Sequence, residues 1–349
     1  PLAPLPDEMS AHLRESVATS FPVVDGEPLA EPVKPEPEPD PHGAGEGLRA
    51  TYTRPFQMHG SIGPSAALAQ FESGHLTVYS HSQGVELLKM ALAEVLDMPP
   101  DAVRVVHAEG AGCYGHNGAD DVALDAALLA RAVAPRPVLT MWTRGDEHRF
   151  EPYAPATLID MAVRLDDDGR VLHWSHDAFG LTHMGRPRPS PGHTNLQSAW
   201  WLSSPTPPVP KAPLLVPEAG IHRNLQPIYQ FPGQRLTKHF VAEGPLRTSS
   251  TRSLGAFANV FAIESFMDEC ARAAGADPFE FRLAHLRDAR AREVLETLRD
   301  RAPGLRAGGR GIALARYKNR QACVALLVDV DVTDDARVRL DQALIVADA

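Results

Sequence analysis

Residues 105–121, which read VVHAEGAGCYGHNGADD, constrain the fold more than any other stretch of this chain. A β-branched run precedes the loop, and an alanine-rich segment that opens with Asp120 and Asp121 follows it. The loop itself holds Gly110, Gly112, Gly115 and Gly118. Because glycine accepts positive φ and a helix N-terminus favours negative charge, this order can bring backbone N–H groups to an anionic ligand. The alternative is a tight strand-to-helix turn without a ligand, since the spacing is neither a Walker loop nor G-x-G-x-x-G.

The composition is that of a globular protein and excludes some partners. The chain has 349 residues, of which 44% are hydrophobic and 22% charged, enough for two or three domains. With 34 basic and 44 acidic residues the net charge is −10, which argues against nucleic acid as the main partner. No apolar run is long enough to span a membrane. Cys113, Cys270 and Cys323 are too far apart for a disulfide framework or a metal-binding spacing.

The order of elements predicts an α+β fold with mixed, mostly antiparallel sheets and packed helices in at least two lobes. We expect a linker or partly disordered tail over 1–49, where VKPEPEPDPHGAGEG cannot bury a core. A first lobe with the glycine loop should cover 50–180. An irregular Pro/Trp-rich connection and a strand should cover 181–245. A second lobe, truncated at its C-terminal end, should cover 246–349.

Periodicity and turn signals predict individual elements. The Asp-Gly turn in DDDG, with alternating apolar residues on both sides, indicates a hairpin over 156–180. Residues 184–233 should form an irregular surface segment. The stretch 142–152 (WTRGDEHRFEP) is either a plain strand end or part of a substrate funnel. Predicted helices are 84–98 with Ser82 as cap, 122–133, 261–275, 277–286 and 291–300, after a short helix from Met9 to Val17.

Three separated segments together resemble one family. They are PFQMHGSIGP (55–64), GAGCYGHNGADD (110–121) and TRSLGAFANVFAIESFMDECARAAGADPFEFRLAHL (251–286). In this order and spacing they resemble the molybdenum-cofactor-binding large subunit of the xanthine oxidase family, especially bacterial subunits of the isoquinoline oxidoreductase and nicotinate dehydrogenase type. The segment GRGIALARYKN (309–319) fits the same pattern, so the resemblance extends from about Ala50 to Ala349.

The resemblance implies a cofactor site. Gln57 matches a glutamine whose amide lies beside the metal's oxo and sulfido ligands, and Arg252 matches an arginine that reaches the cofactor. The implied cofactor-binding residues are Gln57, Gly112, Cys113, Tyr114, Gly115, Arg252, Ser253 and Gly255. The implied substrate contacts are Tyr114, Leu254 and Trp142. No side chain is expected to bind the metal, because in this family the pterin dithiolene holds it.

The resemblance also implies partners and a reaction. The cofactor would be molybdenum-molybdopterin cytosine dinucleotide, and a small subunit would carry [2Fe-2S] clusters, with a c-type cytochrome as a candidate acceptor. The enzyme would hydroxylate an N-heteroaromatic compound or an aldehyde with oxygen from water, in the bacterial cytoplasm or on the periplasmic side. The alternative is a non-catalytic cofactor-binding or assembly scaffold that kept the fold and lost the chemistry.

Two departures from the family pattern restrict this interpretation. Asn117 and Gly118 stand where the family often has a basic residue and then a glutamate, which disfavours a purine-like substrate. The family's general base is a glutamate in a C-terminal G-x-G-E segment, and no such segment lies in the C-terminal part of this sequence. We therefore expect the catalytic glutamate beyond Ala349 and expect this stretch alone to be inactive.

Overall fold

A computed structural model describes residues 9–33, 47–304 and 309–349. Its strands are β1 (Val17–Val24), β2 (Glu27–Pro28), β3 (Gly47–Arg54), β4 (Ala66–Glu72), β5 (His75–Ser80), β6 (Val103–His107), β7 (Val138–Met141), β8 (Thr157–Leu165), β9 (Val171–Gly180), β10 (Gly233–Val241), β11 (Gly309–Arg316), β12 (Cys323–Val332) and β13 (Val338–Asp348). Its α-helices are α1 (Met9–Glu15), α2 (Val85–Val95), α3 (Ala119–Ala132), α4 (Arg144–Phe150), α5 (Ala256–Ala273), α6 (Pro278–His285) and α7 (Ala289–Arg301). Short 3₁₀ turns lie at Pro100–Ala102, Gln197–Trp201, Gly220–His222 and Tyr317–Asn319.

The larger lobe is built on a six-stranded sheet in the order β2-β1-β10-β9-β8-β3. Only β9 and β10 pair in parallel; the other neighbours are antiparallel. Helix α5 packs on β3 and β8, and α6, α7 and the antiparallel sheet β11-β12-β13 complete the lobe. Trp174 lies at the centre of the core, with its ring centroid 4.8 Å from Phe231 and 5.4 Å from Phe266. The predicted α+β class with mixed, mostly antiparallel sheets is confirmed.

The smaller lobe is a four-stranded sheet in the order β6-β5-β4-β7, covered by α2 and α3. The apolar face of α2 is buried through Leu88 and Leu92, as its periodicity predicts. On α3 the buried stripe runs mainly through alanines, whereas Leu129 and, just past the helix, Val133 are exposed. Alanine faces let α3 lie close to β4, because they add no bulk between helix and sheet.

The lobes do not follow the predicted boundaries at 50–180 and 246–349. Strands β3, β8 and β9 belong to the large sheet with β10, so the small lobe is an insertion between β3 and β8. The tail expected over 1–49 also differs, because β1 pairs with β10 and buries Phe21 and Val23. Most of the Pro/Glu/Gly tract lies outside the described residues.

Three local predictions need correction. Residues 144–150 form a helix rather than a strand end, because Thr143 and Asp146 make a reciprocal capping box. Ser82 does not cap α2, since Gly84 holds that position. The segment 184–233 is irregular, as predicted, but it is not confined to the surface. Its inner side contributes Leu196 and Ala199 to the small-lobe core, and Ile221, Leu225 and Tyr229 to the large-lobe core.

The remaining predicted helices and the hairpin are present, with ends shifted by a few residues. Asp277 caps α6 by accepting hydrogen bonds from the N–H groups of Phe279 and Glu280, and Pro278 follows it. None of the helices in the described ranges is both long and apolar enough to cross a lipid bilayer.

Candidate functional site

The structure brings the three motif segments into mutual contact. The first and second segments meet where the Asn117 amide donates to the Ser61 hydroxyl at 3.2 Å. The second and third meet where the Arg252 N–H donates to the Tyr114 carbonyl at 2.6 Å. Both the His116 N–H, at 2.8 Å, and His59 Nε2, at 3.0 Å, contact the carbonyl of Ser250, the residue just before the third segment. Segments almost 200 residues apart in sequence therefore share one hydrogen-bonded junction.

The glycine loop takes a shape that ordinary residues disfavour. Gly112 and Gly115 have φ of +106° and +131°, and Tyr114 between them has φ of +59°. The Arg252 N–H donates to the Tyr114 carbonyl at 2.6 Å, and Gly115 and Thr251 form an isolated antiparallel β-bridge. The loop is therefore paired through its backbone with residues 250–252. A Cβ on Gly115 would lie 2.8 Å from the Thr251 Cα and would overlap the Ser250 carbonyl oxygen. Glycine is needed here for both its conformation and its small size.

The turn before α5 is equally constrained. Ser253 and Leu254 have consecutive positive φ values of +70° and +54°. Such backbone persists where surrounding structure holds it, and it is frequent at ligand sites. Gly255 then passes so close to the 220–221 backbone that a Cβ would lie 2.5 Å from the Gly220 carbonyl oxygen. The Asn259 amide fastens the same backbone by donating to the Ile221 carbonyl at 2.8 Å.

Arg54 connects the predicted glutamine to this turn. Its Nη2 donates to the Gln57 side-chain carbonyl at 3.0 Å, and its Nη1 lies 3.4 Å from the Leu254 carbonyl. Arg54 is buried, and burial lowers the pKa of its guanidinium. Gln57 itself is exposed, and its amide N–H groups make no hydrogen bond to a described residue. They are free to donate to a ligand.

Buried ionic contacts hold the two loops in place. His116 Nδ1 lies 2.8 Å from the Ser249 hydroxyl, and its Nε2 lies 3.0 Å from an Asp120 carboxylate oxygen. Although burial alone would raise it, the Asp120 pKa is lowered overall by its hydrogen bonds to His116 and Ser82. Asp121 forms an ion pair with Arg247 at 2.6 Å. Through these contacts the two aspartates at the start of α3 anchor the 247–250 segment.

Cys113 and Trp142 occupy positions with less access to a ligand. The Cys113 thiol donates to the Gly115 carbonyl at 2.8 Å, and burial raises its pKa, so it is not poised as a thiolate. Trp142 is buried, packs against Gly118 and donates its indole N–H to Asp125 at 2.9 Å. It borders a groove of the small lobe rather than the pocket that contains Leu254.

That pocket has a volume of about 250 Å³ and lies directly beside the turn before α5. Ser250 and Leu254 form one wall. His183, only 4% exposed, forms another, and neither of its ring nitrogens has a hydrogen-bond partner among the described residues. Burial, followed by the nearby cation of Arg54, lowers its pKa to about 3, so the ring is neutral at physiological pH.

The donors around the loops fit an anionic, oxygen-rich group. Within the described part of the chain, no N–H from Glu109 to Gly115 donates to a protein acceptor. The Arg252 side chain is exposed and has no partner there either. Backbone N–H groups, a neutral amide and one guanidinium are what a dithiolene-phosphate cofactor would use. The described ranges contain no cluster of His, Cys, Asp or Glu able to hold a metal directly.

Sequence reasoning missed several residues at this site. Arg54 precedes the first motif by one residue, and only its buried contacts reveal its role. His183 and Arg186 lie in the irregular segment, whose position cannot be read from periodicity. Gln83 follows β5, and its side-chain carbonyl accepts from Arg186 at 2.6 Å. The sequence signal that could have identified Gln83 was its position three residues after the end of β5, where polar side chains often face a site.

Comparisons with known proteins identify the family to which the chain is related. Residues 42–185 match the molybdopterin cofactor-binding domain family. A nicotinate dehydrogenase subunit of Pseudomonas putida KT2440 is 38% identical over 288 residues, which are 78% of this chain and 23% of that protein. The aldehyde oxidoreductase molybdenum-binding subunit PaoC of Escherichia coli K12 is 30% identical over 237 residues, which are 68% of this chain and 28% of that protein.

A solved structure shows the same fold. The aldehyde oxidoreductase of Desulfovibrio gigas superposes with a TM-score of 0.61 and 18% sequence identity, covering 93% of this chain and 35% of that one. At this identity the match concerns the fold alone. The chain spans about a quarter of the length of the curated relatives it matches.

Proposed function

Because the chain belongs to the molybdenum-cofactor-binding subunits of the xanthine oxidase family, we propose that it holds the cofactor of a molybdenum hydroxylase. The enzyme would oxidise an N-heteroaromatic compound or an aldehyde with water as the oxygen source. The observation that carries this proposal is the shared junction of residues 55–64, 110–121 and 250–255. A turn without a ligand would not require three distant segments to meet.

The residues at the junction would divide the work of holding the cofactor. The N–H groups of 109–115 would donate to its oxygen atoms, and Arg252 would balance its negative charge. Gln57 would orient an oxygen ligand without adding charge, with its carbonyl held by Arg54. When bound, the cofactor supplies the two-electron oxidation, and the protein supplies position and electrostatics. Leu254 and His183 would border the space for the substrate.

The finer assignments are also part of the proposal. The cytosine dinucleotide form of the cofactor, a small [2Fe-2S] subunit and a c-type cytochrome acceptor are what the xanthine oxidase resemblance implies. The general-base glutamate is expected in the part of the polypeptide beyond Ala349. The names of the two relatives, a nicotinate dehydrogenase subunit and an aldehyde oxidoreductase subunit, support both substrate classes.

The test uses the complete polypeptide, purified with the subunits that accompany it. We expect near-stoichiometric molybdenum and a released pterin dinucleotide in the wild type. Arg252→Ala and Gln57→Ala should lower molybdenum content or turnover while circular dichroism stays unchanged. Arg104→Ala, on an exposed position of β6, is the matched control and should behave as the wild type.

Two results would contradict the proposal. Metal-free wild-type protein from cells that make the cofactor would favour the scaffold alternative. Unchanged molybdenum content and activity in both site variants would refute the residue assignment while leaving the family intact.

A further inference from the structure

We propose that the pocket beside Leu254 selects a substrate that carries a carboxylate, bound by Arg186 and Arg188 while the ring lies on the apolar wall. This inference rests on the proposed function and specifies its substrate class. The evidence for it is the charge and the unpaired hydrogen-bonding groups of the pocket, not the contacts that hold the cofactor-binding segments together. Three observations carry it, and each concerns different residues.

The first observation is the apolar character of the walls. The carbon-rich side chains that line the pocket are Leu87, Met184, Pro187, Leu214 and Leu254. Pockets that enclose drug-sized ligands have volumes of about 300–1,000 Å³, so this one, at about 250 Å³, suits a smaller ring compound. Apolar walls of this kind favour an aromatic ring over a sugar or a phosphate.

The second observation is positive charge without a carboxylate partner. Arg186 and Arg188 both line the pocket and are half-buried. Among the described residues, the Arg186 guanidinium donates only to the neutral amide of Gln83, at 2.6 Å. Arg188 makes no hydrogen bond or ion pair with any described residue.

Three other arginines of comparable burial are paired with a carboxylate, whereas in the described structure Arg54 and Arg223 bind only neutral oxygen atoms. Arg235, Arg247 and Arg310 each form an ion pair with an aspartate at 2.5–2.6 Å. A half-buried guanidinium without an anion has lost part of its hydration and has no ion pair to offset that cost. Two such groups on one pocket therefore favour an anionic ligand, and a guanidinium can bind a carboxylate through two parallel hydrogen bonds.

The third observation is the unpaired ring of His183. A neutral imidazole has one donor and one acceptor nitrogen, and neither is satisfied in the described structure. Leaving buried polar atoms unpaired costs about 1–3 kcal/mol each. A ring nitrogen or carboxylate oxygen of a bound heterocycle would provide the missing partner.

A phosphate of the cofactor is a second source of the same negative charge. Both anions would suit Arg186 and Arg188, but the apolar walls favour a ring carboxylate. The two sources differ in what an arginine substitution removes. Loss of a substrate contact changes selectivity between charged and neutral substrates, whereas loss of a cofactor contact changes molybdenum and pterin content.

The experiment compares charged and neutral probes on the complete enzyme with its subunits. The probes are the three pyridine monocarboxylates and the three matching carboxamides. Binding is measured by calorimetry, kcat/KM by steady-state kinetics, and cofactor content by metal and pterin analysis. The proteins are wild type, Arg188→Gln, Arg188→Lys and, as an exposed control, Arg104→Gln.

We expect the wild type to prefer at least one carboxylate to its amide. Arg188→Gln should lose about 10- to 100-fold in affinity and in kcat/KM for that carboxylate, the size of a charge-assisted hydrogen bond. It should leave the amide and the cofactor content unchanged. Arg188→Lys should recover part of the loss, and Arg104→Gln should show none.

Three outcomes would overturn the inference. Equal losses of affinity for the carboxylate and its amide would show that Arg188 does not recognise the negative charge of the ligand. Loss of molybdenum and pterin in Arg188→Gln would assign the arginine to a cofactor phosphate. Failure of every carboxylate to bind the wild type would show that the pocket takes another ligand. If the complete enzyme proved to be metal-free, the proposed function would be refuted. Calorimetry would still test carboxylate binding at the pocket, because it does not depend on turnover.

Discussion

Replacing Gly115 by alanine should separate the glycine loop from the turn before α5. The new Cβ would lie 2.8 Å from the Thr251 Cα and would overlap the Ser250 carbonyl oxygen, which is backbone and cannot rotate away. A φ of +131° adds strain of about 1–3 kcal/mol for a residue with a side chain. Relief of the overlap would break the hydrogen bonds donated by the His116 and Arg252 N–H groups, each with a net value of about 1 kcal/mol. The expected loss of stability is therefore about 3–5 kcal/mol.

The matched control separates backbone strain from the loss of docking. Gly74 has φ of +81°, but a Cβ there would meet nothing within 4 Å. Gly74→Ala should cost only about 1 kcal/mol. Urea denaturation of the complete polypeptide measures both changes, and metal analysis measures cofactor occupancy. Only Gly115→Ala should lower molybdenum content. If the two variants lose equal stability and keep equal molybdenum, the loop does not depend on its contact with the turn.

Three further predictions concern buried groups. Arg282→Ala should destabilise the large lobe by about 3–5 kcal/mol, because it leaves the buried Glu264 carboxylate without its cationic partner at 3.0 Å. Arg299→Ala, at an exposed ion pair, should barely shift the urea midpoint. Equal shifts in the two variants would refute this prediction. Burial lowers the pKa of His183 from 6.5 to about 3, so on acidification the unfolded chain binds this proton before the folded protein does. The free energy of unfolding is therefore unaffected by this group above pH 6.5 and decreases from pH 6.5 toward pH 3. In His183→Gln, urea denaturation over a pH series should show a shallower decrease. Trp142→Phe keeps a packed aromatic ring but removes the indole hydrogen bond to Asp125. It should lower the free energy of unfolding by about 1 kcal/mol and leave KM unchanged. An altered KM would instead support a contact between Trp142 and the substrate.

Local signals in the sequence predicted most of the individual elements. The Asp-Gly turn specified the 156–180 hairpin, and Asp277-Pro278 specified the start of α6. These succeed because hairpin turns and helix caps depend on residues a few positions apart. The capping box of α4 was equally local but was overlooked, since its charged residues suggested a strand end.

The division into lobes could not be predicted from local patterns. Strand β1 reads as part of a polar, proline-rich tail, yet it lies between β2 and β10 in the large sheet. Strand partners are chosen by burial across the whole fold, and no residue within β1 specifies a partner more than 200 positions away. The same reason explains why the 184–233 segment was expected on the surface and instead contributes to both cores.

The sequence by itself indicated the residue types that we propose as cofactor contacts. Glycines that accept positive φ, a glutamine amide and an exposed arginine are chemical properties of single residues and short turns, and they can be recognised in order along the chain. The tertiary structure decided which of them meet. It placed Gly115 against Thr251, connected Gln57 to Leu254 through Arg54, and set His183 without partners at the pocket. Distances between segments depend on the packing of every element between them, and this is information that no short stretch of sequence contains.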